Sequence, residues 1–183
     1  GRAFGELGEP IARSAVHQIA WRFQNEDFVL EPSTSQKLLD AAITRCGSDI
    51  RHVVSTDPRL SNRCCPALAV ALDGFGMHWV SAGDCALLLY RDRRLHRLND
   101  NHSMGAWLDR QAEAGQISWA EARSARNRQA QRSGITGGDI PIIARPSEAF
   151  PIQAGDWILL ATQGLESLPG DEIATCMQRS VAE

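Results

Sequence analysis

The hydrophobic pattern changes from a helical period to a strand period after about residue 62, and this change constrains the fold more than any other feature. Before that point, apolar residues recur every three or four positions, which is typical of helices with one buried face. The pattern predicts a helix over about Glu9–Gln24 and a second that begins near Ser33–Ser35. Gly47–Val54 continues the second helix or adds a turn to it.

Short apolar segments separated by turn residues predict antiparallel strands in the middle of the chain. Asp73-Gly74 is a hairpin signal between the apolar segments Ala67–Leu72 and Met77–Ala82. Leu87–Tyr90 and Leu95–Leu98 follow with tight turns between them. We therefore expect these strands to form one antiparallel meander.

Further helices and two short strands are predicted toward the C-terminus. Met104–Ala114 is an expected helix, and Ser118 with Glu121 forms a capping box for another that runs to about Ala130. The remaining predicted elements are a strand at Ile140–Ile143, a buried strand at Trp157–Ala161 and a last helix from Gly170. Because helices segregate from antiparallel strands, the expected class is α+β.

Composition and charge exclude several kinds of protein. The 183 residues are 43% hydrophobic and 22% charged, which indicates one globular domain over residues 1–183. A net charge of −3 gives no general attraction to nucleic acid or anionic lipid. No apolar run is long enough to span a membrane, and no signal peptide opens the chain. The expected location is the cytoplasm, with no nucleic-acid or membrane partner.

Cysteine usage argues against two further kinds of site, and the distribution of the arginines leaves two interpretations open. The five cysteines are odd in number and contain no C-x-x-C pair, so a disulfide framework or zinc site is not expected. Lys37 is the only lysine among nineteen basic residues. The arginines cluster only weakly, at Arg91, Arg93, Arg94 and Arg97. Of these, Arg91, Arg93 and Arg94 are candidate phosphate or partner contacts or an ordinary solvated turn.

Three short segments combine polar residues with a position between predicted elements. Gly83-Asp84-Cys85 is either a turn or part of a site. Asp100–Ser103 offers metal ligands, a reactive histidine or a helix cap. Thr162-Gln163-Gly164 follows the apolar strand Trp157–Ala161, at a strand end where site residues often lie. The sequence contains neither a serine-hydrolase elbow nor a phosphate loop with a following lysine.

Taken in order, these segments resemble the bacterial metal-dependent serine/threonine protein phosphatases of type 2C. Gly83-Asp84-Cys85 is similar to the Gly-Asp-Ser motif of that family, and Leu95–Ser103 to its Asp-His-Ser segment. Ala154–Leu165 is similar to the strand and loop that end in Asp-Gly-Leu. The flap region of the family is similar to Gln111–Ala122 followed by Arg126-Asn127. The end of the family's first motif is similar to Gly8-Glu9.

The resemblance implies a sandwich of two antiparallel sheets flanked by helices, with a metal site in the cleft between the sheets. Here that sandwich is expected to be incomplete at both ends, without strands before Gly1 and without a helix and a strand after Val181. In the family, aspartates bind two Mn²⁺ or Mg²⁺ ions, which acidify a bridging water and neutralise the phosphate. Open strand edges also favour pairing with a second copy of the chain.

Departures from the family motifs predict a degenerate site. Gln163 stands where the resemblance expects a metal-binding aspartate, although Gly164 follows as expected. The first motif should begin with a bridging aspartate, but Gly1 and Arg2 stand at the start of this chain. Asp84 is the remaining acidic position, a weak metal candidate that in bacterial relatives helps to hold a third ion. Hard divalent ions need several carboxylate oxygens, so no tightly bound metal or other cofactor is expected.

Three functions are compatible with these observations. The first is a pseudophosphatase, a catalytically impaired phosphatase-like module that binds a protein partner, such as a phosphoprotein, in signalling. The second is an active Mn²⁺- or Mg²⁺-dependent serine/threonine phosphatase that uses Asp84 with ligands outside this sequence. The third is a structural or assembly protein that reuses only the fold, because a fold alone does not define a function.

Overall fold

The computed structural model describes residues 5–25, 31, 33–56 and 64–181. The helices are α1 (Gly5–Asn25), α2 (Thr34–Thr56), α3 (Met104–Glu113), α4 (Trp119–Ser124) and α5 (Gly170–Val181), with a 3₁₀ helix at Gln163–Ser167. The strands are β1 (Ala67–Asp73), β2 (Gly76–Ala82), β3 (Ala86–Arg91), β4 (Arg94–Arg97) and β5 (Trp157–Ala161). This mixture of helices and antiparallel strands confirms the predicted α+β class. In the described part of the chain, no helix is both long and apolar enough to cross a bilayer.

The two N-terminal helices pack on the hairpin β1–β2. Buried residues of α2, among them Leu39, Ile43 and Ile50, form one apolar cluster with Val80 of β2. Ser35 at the start of α2 also donates a hydrogen bond to Asp73 at the end of β1, with an oxygen–oxygen distance of 2.6 Å. Apolar burial and this polar contact together fix the helices on one side of the hairpin.

The strands belong to two separate sheets, so the prediction of one continuous meander is wrong. β1 and β2 pair in one antiparallel sheet, and β4, β3 and β5 form the other in that order. The chain passes from one sheet to the other at Gly83, whose φ is +99°. A β-carbon there would lie 2.7 Å from Pro66 Cβ, so the close approach and the backbone angle both require glycine.

Asn99 joins the two sheets through its side-chain amide. Its Oδ1 accepts the main-chain N–H of Leu87 at 2.8 Å, and its Nδ2 donates to Ser81 Oγ at 3.0 Å and to Cys85 O at 2.9 Å. Asn99 is buried, and its three partners lie on β2, on the crossover and on β3. One side chain therefore satisfies polar groups of both sheets where water does not reach.

Two predicted elements differ in the structure. α4 ends at Ser124 rather than near Ala130, because Ala125 is extended (ψ 122°) and the following carbonyl groups bond to α3. Ile140–Ile143 forms no strand; isolated bridges instead join Ala144 and Phe150 to β2.

The strand β5 is less buried than its apolar sequence predicts. Trp157 and Leu160 are 39% and 49% exposed. β5 pairs with β3 on one side and lies at the edge of its sheet in the part of the chain that the structure describes. Because Trp157 and Leu160 are three residues apart, they lie on opposite faces of β5, so neither face of this strand is fully covered in the described part of the chain.

Replacing Asn99 by alanine should strongly destabilise the protein. The buried N–H of Leu87 would lose its acceptor, so we expect the free energy of unfolding to fall by about 3 kcal/mol in urea denaturation. Asp100→Ala is the matched control, because Asp100 is exposed beside it and should change stability by less than about 0.5 kcal/mol. Equal losses in the two variants would contradict a linking role for Asn99.

The turn between β3 and β4 should become more stable with glycine. Asp92 and Arg93 both have positive φ, 51° and 62°, and the left-handed region costs a side-chain-bearing residue energy. We expect Arg93→Gly to raise the free energy of unfolding by about 0.5–1 kcal/mol, net of the greater freedom of glycine in the unfolded chain. Arg93→Ala keeps the β-carbon and should give no such gain. A similar gain in both variants would assign the effect to charge instead of backbone conformation.

Candidate functional site

The pairing of β3 with β5 brings Asp84 and Gln163 to the same end of one sheet. Ala86, two residues after Asp84, pairs with Ala161, two residues before Gln163. The antiparallel register therefore places the Gly83-Asp84-Cys85 turn beside the loop that follows β5. The third segment singled out from the sequence, Asp100–Ser103, lies at the same place, because His102 bonds to Gly83 and Asn101 and Ser103 lie near Gln163.

A polar cavity of about 460 Å³ opens beside Gln163. It lies between the start of α3, the loop after α4 and the 3₁₀ helix that follows β5. Its lining residues are Asn101, Ser103, Gly105, Ala106, Asp109, Arg128, Gln129, Gln163, Gly164 and Ser167. Amide and hydroxyl groups dominate this lining, and Asp84 is not part of it.

The charges in the cavity wall neutralise each other. Arg128 donates two parallel hydrogen bonds to the Asp109 carboxylate, at 2.9 and 2.7 Å, and a third to Ala122 O at 2.7 Å. The Arg128 hydrogen bonds lower the pKa of Asp109, and the same contact raises the pKa of Arg128. Both groups therefore stay charged at neutral pH, and the lining carries no net charge.

The N-terminus of α3 faces this cavity with its donors already used. Met104 N–H donates to Ala130 O and Gly105 N–H to Arg128 O, both at 2.8 Å. Ala106 N–H donates to the Ser103 hydroxyl at 3.1 Å, which confirms Ser103 as the helix cap. Free N–H groups make a helix N-terminus an anion site, and here the first three are occupied.

Asp84 is buried with a neutral partner. Its side chain is 2% exposed, and its Oδ2 accepts a hydrogen bond from Gln131 Nε2. Arg97 contributes a cation nearby, since its guanidinium donates to the main-chain oxygens of Asp84 and Cys85 at 3.2 and 3.0 Å. The Asp84 carboxylate is thus engaged within the protein rather than presented to the cavity.

The thiols around Asp84 are not activated. Burial raises the pKa of both Cys64 and Cys85 to about 11, and the nearby Asp84 charge adds to the rise. Both groups are therefore protonated at neutral pH. A reactive cysteine needs a lowered pKa, so these thiols have a packing role.

His102 contacts the Gly83 turn as a neutral side chain. Its Nδ1 accepts the N–H of Gly83 at 3.1 Å, and its own main-chain N–H donates to Gly83 O at 3.0 Å. Burial lowers the pKa of His102 below the ordinary value of 6.5. The imidazole therefore fixes the turn that carries Asp84, which favours a structural role over the reactive or metal-binding roles considered from the sequence.

The arginine cluster lies at the opposite end of β3. Arg91 forms an ion pair with Asp156, at 2.8 and 2.6 Å. Arg93 is exposed in the turn that follows, and Arg94 is exposed at the first position of β4. β3 spans about 17 Å from Ala86 to Arg91, and Asp84 precedes it by two residues. The candidate contacts at Arg91, Arg93 and Arg94 are therefore separate from the cavity. The other candidates, Gly1 and Arg2, lie outside the described residues.

Comparison with solved structures defines the fold. The Mycobacterium tuberculosis serine/threonine phosphatase PstP/Ppp aligns with a TM-score of 0.73 and 24% identity, over 95% of this chain and 71% of its own. The S. agalactiae serine/threonine phosphatase aligns with a TM-score of 0.77 and 20% identity, over 92% of this chain and 67% of its own.

A third similar structure contains metal. It is the catalytic domain of the serine/threonine protein phosphatase PstP in complex with two manganese ions, with a TM-score of 0.65, 21% identity, and coverage of 97% of this chain and 76% of that one. No protein-family model and no curated protein matches the sequence. The chain has the fold of the type 2C serine/threonine phosphatases.

The described side chains do not fit a pair of divalent ions. Among the residues that the structure describes, no group of three or more His, Cys, Asp or Glu side chains could hold a metal ion. Gln163 donates a hydrogen bond to Gln129 Oε1, and Asp84 accepts one from Gln131, so both positions that the sequence resemblance marked as ligand candidates have protein partners. Mn²⁺ and Mg²⁺ prefer charged oxygen ligands, which this arrangement does not offer.

The sequence interpretation missed Gln129, Gln131 and the Asp109–Arg128 pair. Arg126-Asn127 was noted for its resemblance to the flap region, but the glutamines after it carry no motif of their own. Their importance comes from contacts 34 and 47 residues away along the chain. No local signal in the sequence could have found them.

The His102 contact predicts a pH-dependent stability. A histidine whose pKa is lowered in the folded state stabilises the protein fully above the unfolded pKa, and the effect is lost as the pH falls below about 6.5. We expect long-range ¹H–¹⁵N NMR to show His102 titrating below 6.5. His102→Asn keeps an acceptor for Gly83 N–H but does not titrate, so the loss of stability between pH 7 and 5 should be smaller in this variant. A His102 pKa at or above 6.5 would contradict the assignment.

Proposed function

We propose that this chain is a pseudophosphatase, a module that keeps the phosphatase fold, lacks its metal-dependent hydrolysis and acts by binding a protein partner in signalling. The observation that carries the proposal is the neutral charge of the Gln163 side chain and its hydrogen bond within the protein. A neutral amide stands at the strand end where the family resemblance expects a metal-binding aspartate, and it is hydrogen-bonded to Gln129. Both its missing charge and its existing partner oppose binding of a divalent ion.

The electrostatics of the cavity support the same proposal. Hydrolysis of a phosphate monoester requires charge that neutralises the phosphate and activates a water. Here Arg128 is paired with Asp109, and the first three N–H groups of α3 have protein acceptors. What remains is a neutral cavity lined by amides and hydroxyls, which suits hydrogen bonding to a polypeptide better than phosphoryl transfer.

The structural neighbours support one class of partner for this proposal. They are serine/threonine phosphatases, so a serine- or threonine-phosphorylated protein in the cytoplasm is the partner we propose for this module. The active-enzyme alternative keeps one argument, because Asp84 lies at the same sheet end as Gln163. The same experiment tests both functions.

The test is Mn²⁺ binding by calorimetry, with hydrolysis of a phosphoserine peptide measured on the same samples. We expect the wild type to show no Mn²⁺ binding at micromolar concentration and no turnover. Gln163→Asp restores one carboxylate and should bind Mn²⁺ at least about tenfold more tightly than the wild type, which corresponds to about 1.4 kcal/mol. Ser167→Asp is the matched control, because it adds the same charge elsewhere in the cavity wall.

Two outcomes would overturn the proposal. Micromolar Mn²⁺ binding with turnover by the wild type would establish the active-enzyme alternative. Equal gains in Gln163→Asp and Ser167→Asp would show that any added charge attracts the ion, so that Gln163 does not occupy a former ligand position.

A further inference from the structure

The two charged side chains of the cavity are bound to each other. Of the lining residues that the structure describes, Asp109 and Arg128 are the ones that carry charge. Both terminal nitrogens of the Arg128 guanidinium donate to the Asp109 carboxylate, at 2.9 and 2.7 Å. A phosphate binds to arginine through the same two parallel hydrogen bonds. Asp109 therefore occupies the position on Arg128 that a phosphate group would need.

Further contacts of Arg128 hold this pair in place. Arg128 Nη1 also donates to Ala122 O at 2.7 Å, and Arg128 O accepts the N–H of Gly105 at 2.8 Å. A β-carbon at Gly105 would lie 3.4 Å from Arg128 Nη2, so the guanidinium lies close against α3. Arg128 therefore cannot turn toward a ligand without losing bonds to both α3 and α4.

The other polar groups that the structure describes in the cavity wall carry no charge that attracts an anion. The first three N–H groups of α3 already have protein acceptors, and the amides and hydroxyls are neutral. Arg128 lowers the pKa of Asp109, so this carboxylate is ionised at neutral pH and repels an anion. The nearby cation Arg123 is exposed on α4, outside the lining, where it stacks on Trp119 at 5.4 Å. A phosphate that entered the cavity would lose its water without gaining a cation.

We propose that Asp109 determines the specificity of the cavity by excluding phosphate groups, so that the partner segment bound there is unphosphorylated. This inference rests on the proposed function, because it takes the cavity as the site that binds a serine- or threonine-phosphorylated protein. It adds that the phosphate of such a partner stays outside the cavity, where the neutral amides and hydroxyls contact an uncharged part of its chain. Phosphorylation of the residue that enters the cavity would then release the partner.

Binding of inorganic phosphate to the full chain tests the role of Asp109. Asp109→Asn keeps the side-chain shape and an acceptor for Arg128 but removes the negative charge, which leaves the Arg128 cation without a counter-charge. In ¹H–¹⁵N NMR titrations that follow the cavity amides of Gly105 and Ala106, we expect this variant to bind phosphate at least about tenfold more tightly than the wild type. The double variant Asp109→Asn with Arg128→Gln should lose this gain.

Two further variants separate the ion pair from general effects of charge and from loss of the fold. Glu113→Gln is the matched control, because it removes one negative charge from the same helix at an exposed position outside the lining. Its phosphate affinity should stay within about twofold of that of the wild type. Ser167→Arg leaves the ion pair intact, and its added cation should increase phosphate affinity at least about tenfold. This variant decides the same question should Asp109→Asn not fold, which the NMR spectra show.

Wild-type phosphate binding as tight as that of Asp109→Asn would contradict the proposal, as would an equal gain in Glu113→Gln. A folded Asp109→Asn or Ser167→Arg that gains no affinity would overturn it too, because the shape of the cavity, and not its charge, would then exclude phosphate. These titrations use neither metal nor turnover. The Mn²⁺ test therefore decides the proposed function separately, whichever result phosphate gives.

Discussion

The structure depends on the crossover at Gly83–Cys85, where the chain leaves one sheet and enters the other. Three groups hold it in place. Gly83 supplies the positive φ and the close approach to Pro66. His102 forms hydrogen bonds with the main-chain N–H and C=O of Gly83. The Asn99 side chain forms hydrogen bonds with both Ser81 and Leu87. Because β3 starts directly after the crossover, its position sets the register with β5 and thereby the place of Gln163.

The candidate site combines the type 2C phosphatase fold with polar side chains that are paired with each other. The fold brings the end of β5 and the start of α3 to one cavity, and it places the Asp84 turn beside the loop that follows β5. Hydrogen bonds within the protein occupy the polar side chains at these positions. Gln129 and Gln131 engage the two strand-end side chains, and Arg128 engages Asp109. The Asp109–Arg128 pair leaves the cavity lining without net charge, and this is one of the observations on which the proposed binding function rests.

The sequence predicted the elements well where the signal was local. The hairpin at Asp73-Gly74, the cap at Ser103 and the capping box at Ser118 are all present, because each depends on residues within a few positions. The single meander was wrong because adjacency in sequence does not show which sheet a strand joins. The long helix after Ser118 was wrong because carbonyl groups near residues 128–130 bond to α3 instead of continuing the helix.

What the sequence by itself determined was the α+β class, the resemblance to the type 2C phosphatases and the neutral amide at Gln163, since these depend on periodicity and on ordered motifs. Only the tertiary structure decided that Asp84 is buried against Gln131, that Gln163 bonds to Gln129, and that Arg91 belongs to an ion pair at the far end of β3. The physical reason is the distance along the chain over which each kind of interaction acts. A motif constrains neighbouring residues, whereas the charge and hydrogen bonding of a site come from side chains that only the folded chain brings within about 3 Å of each other.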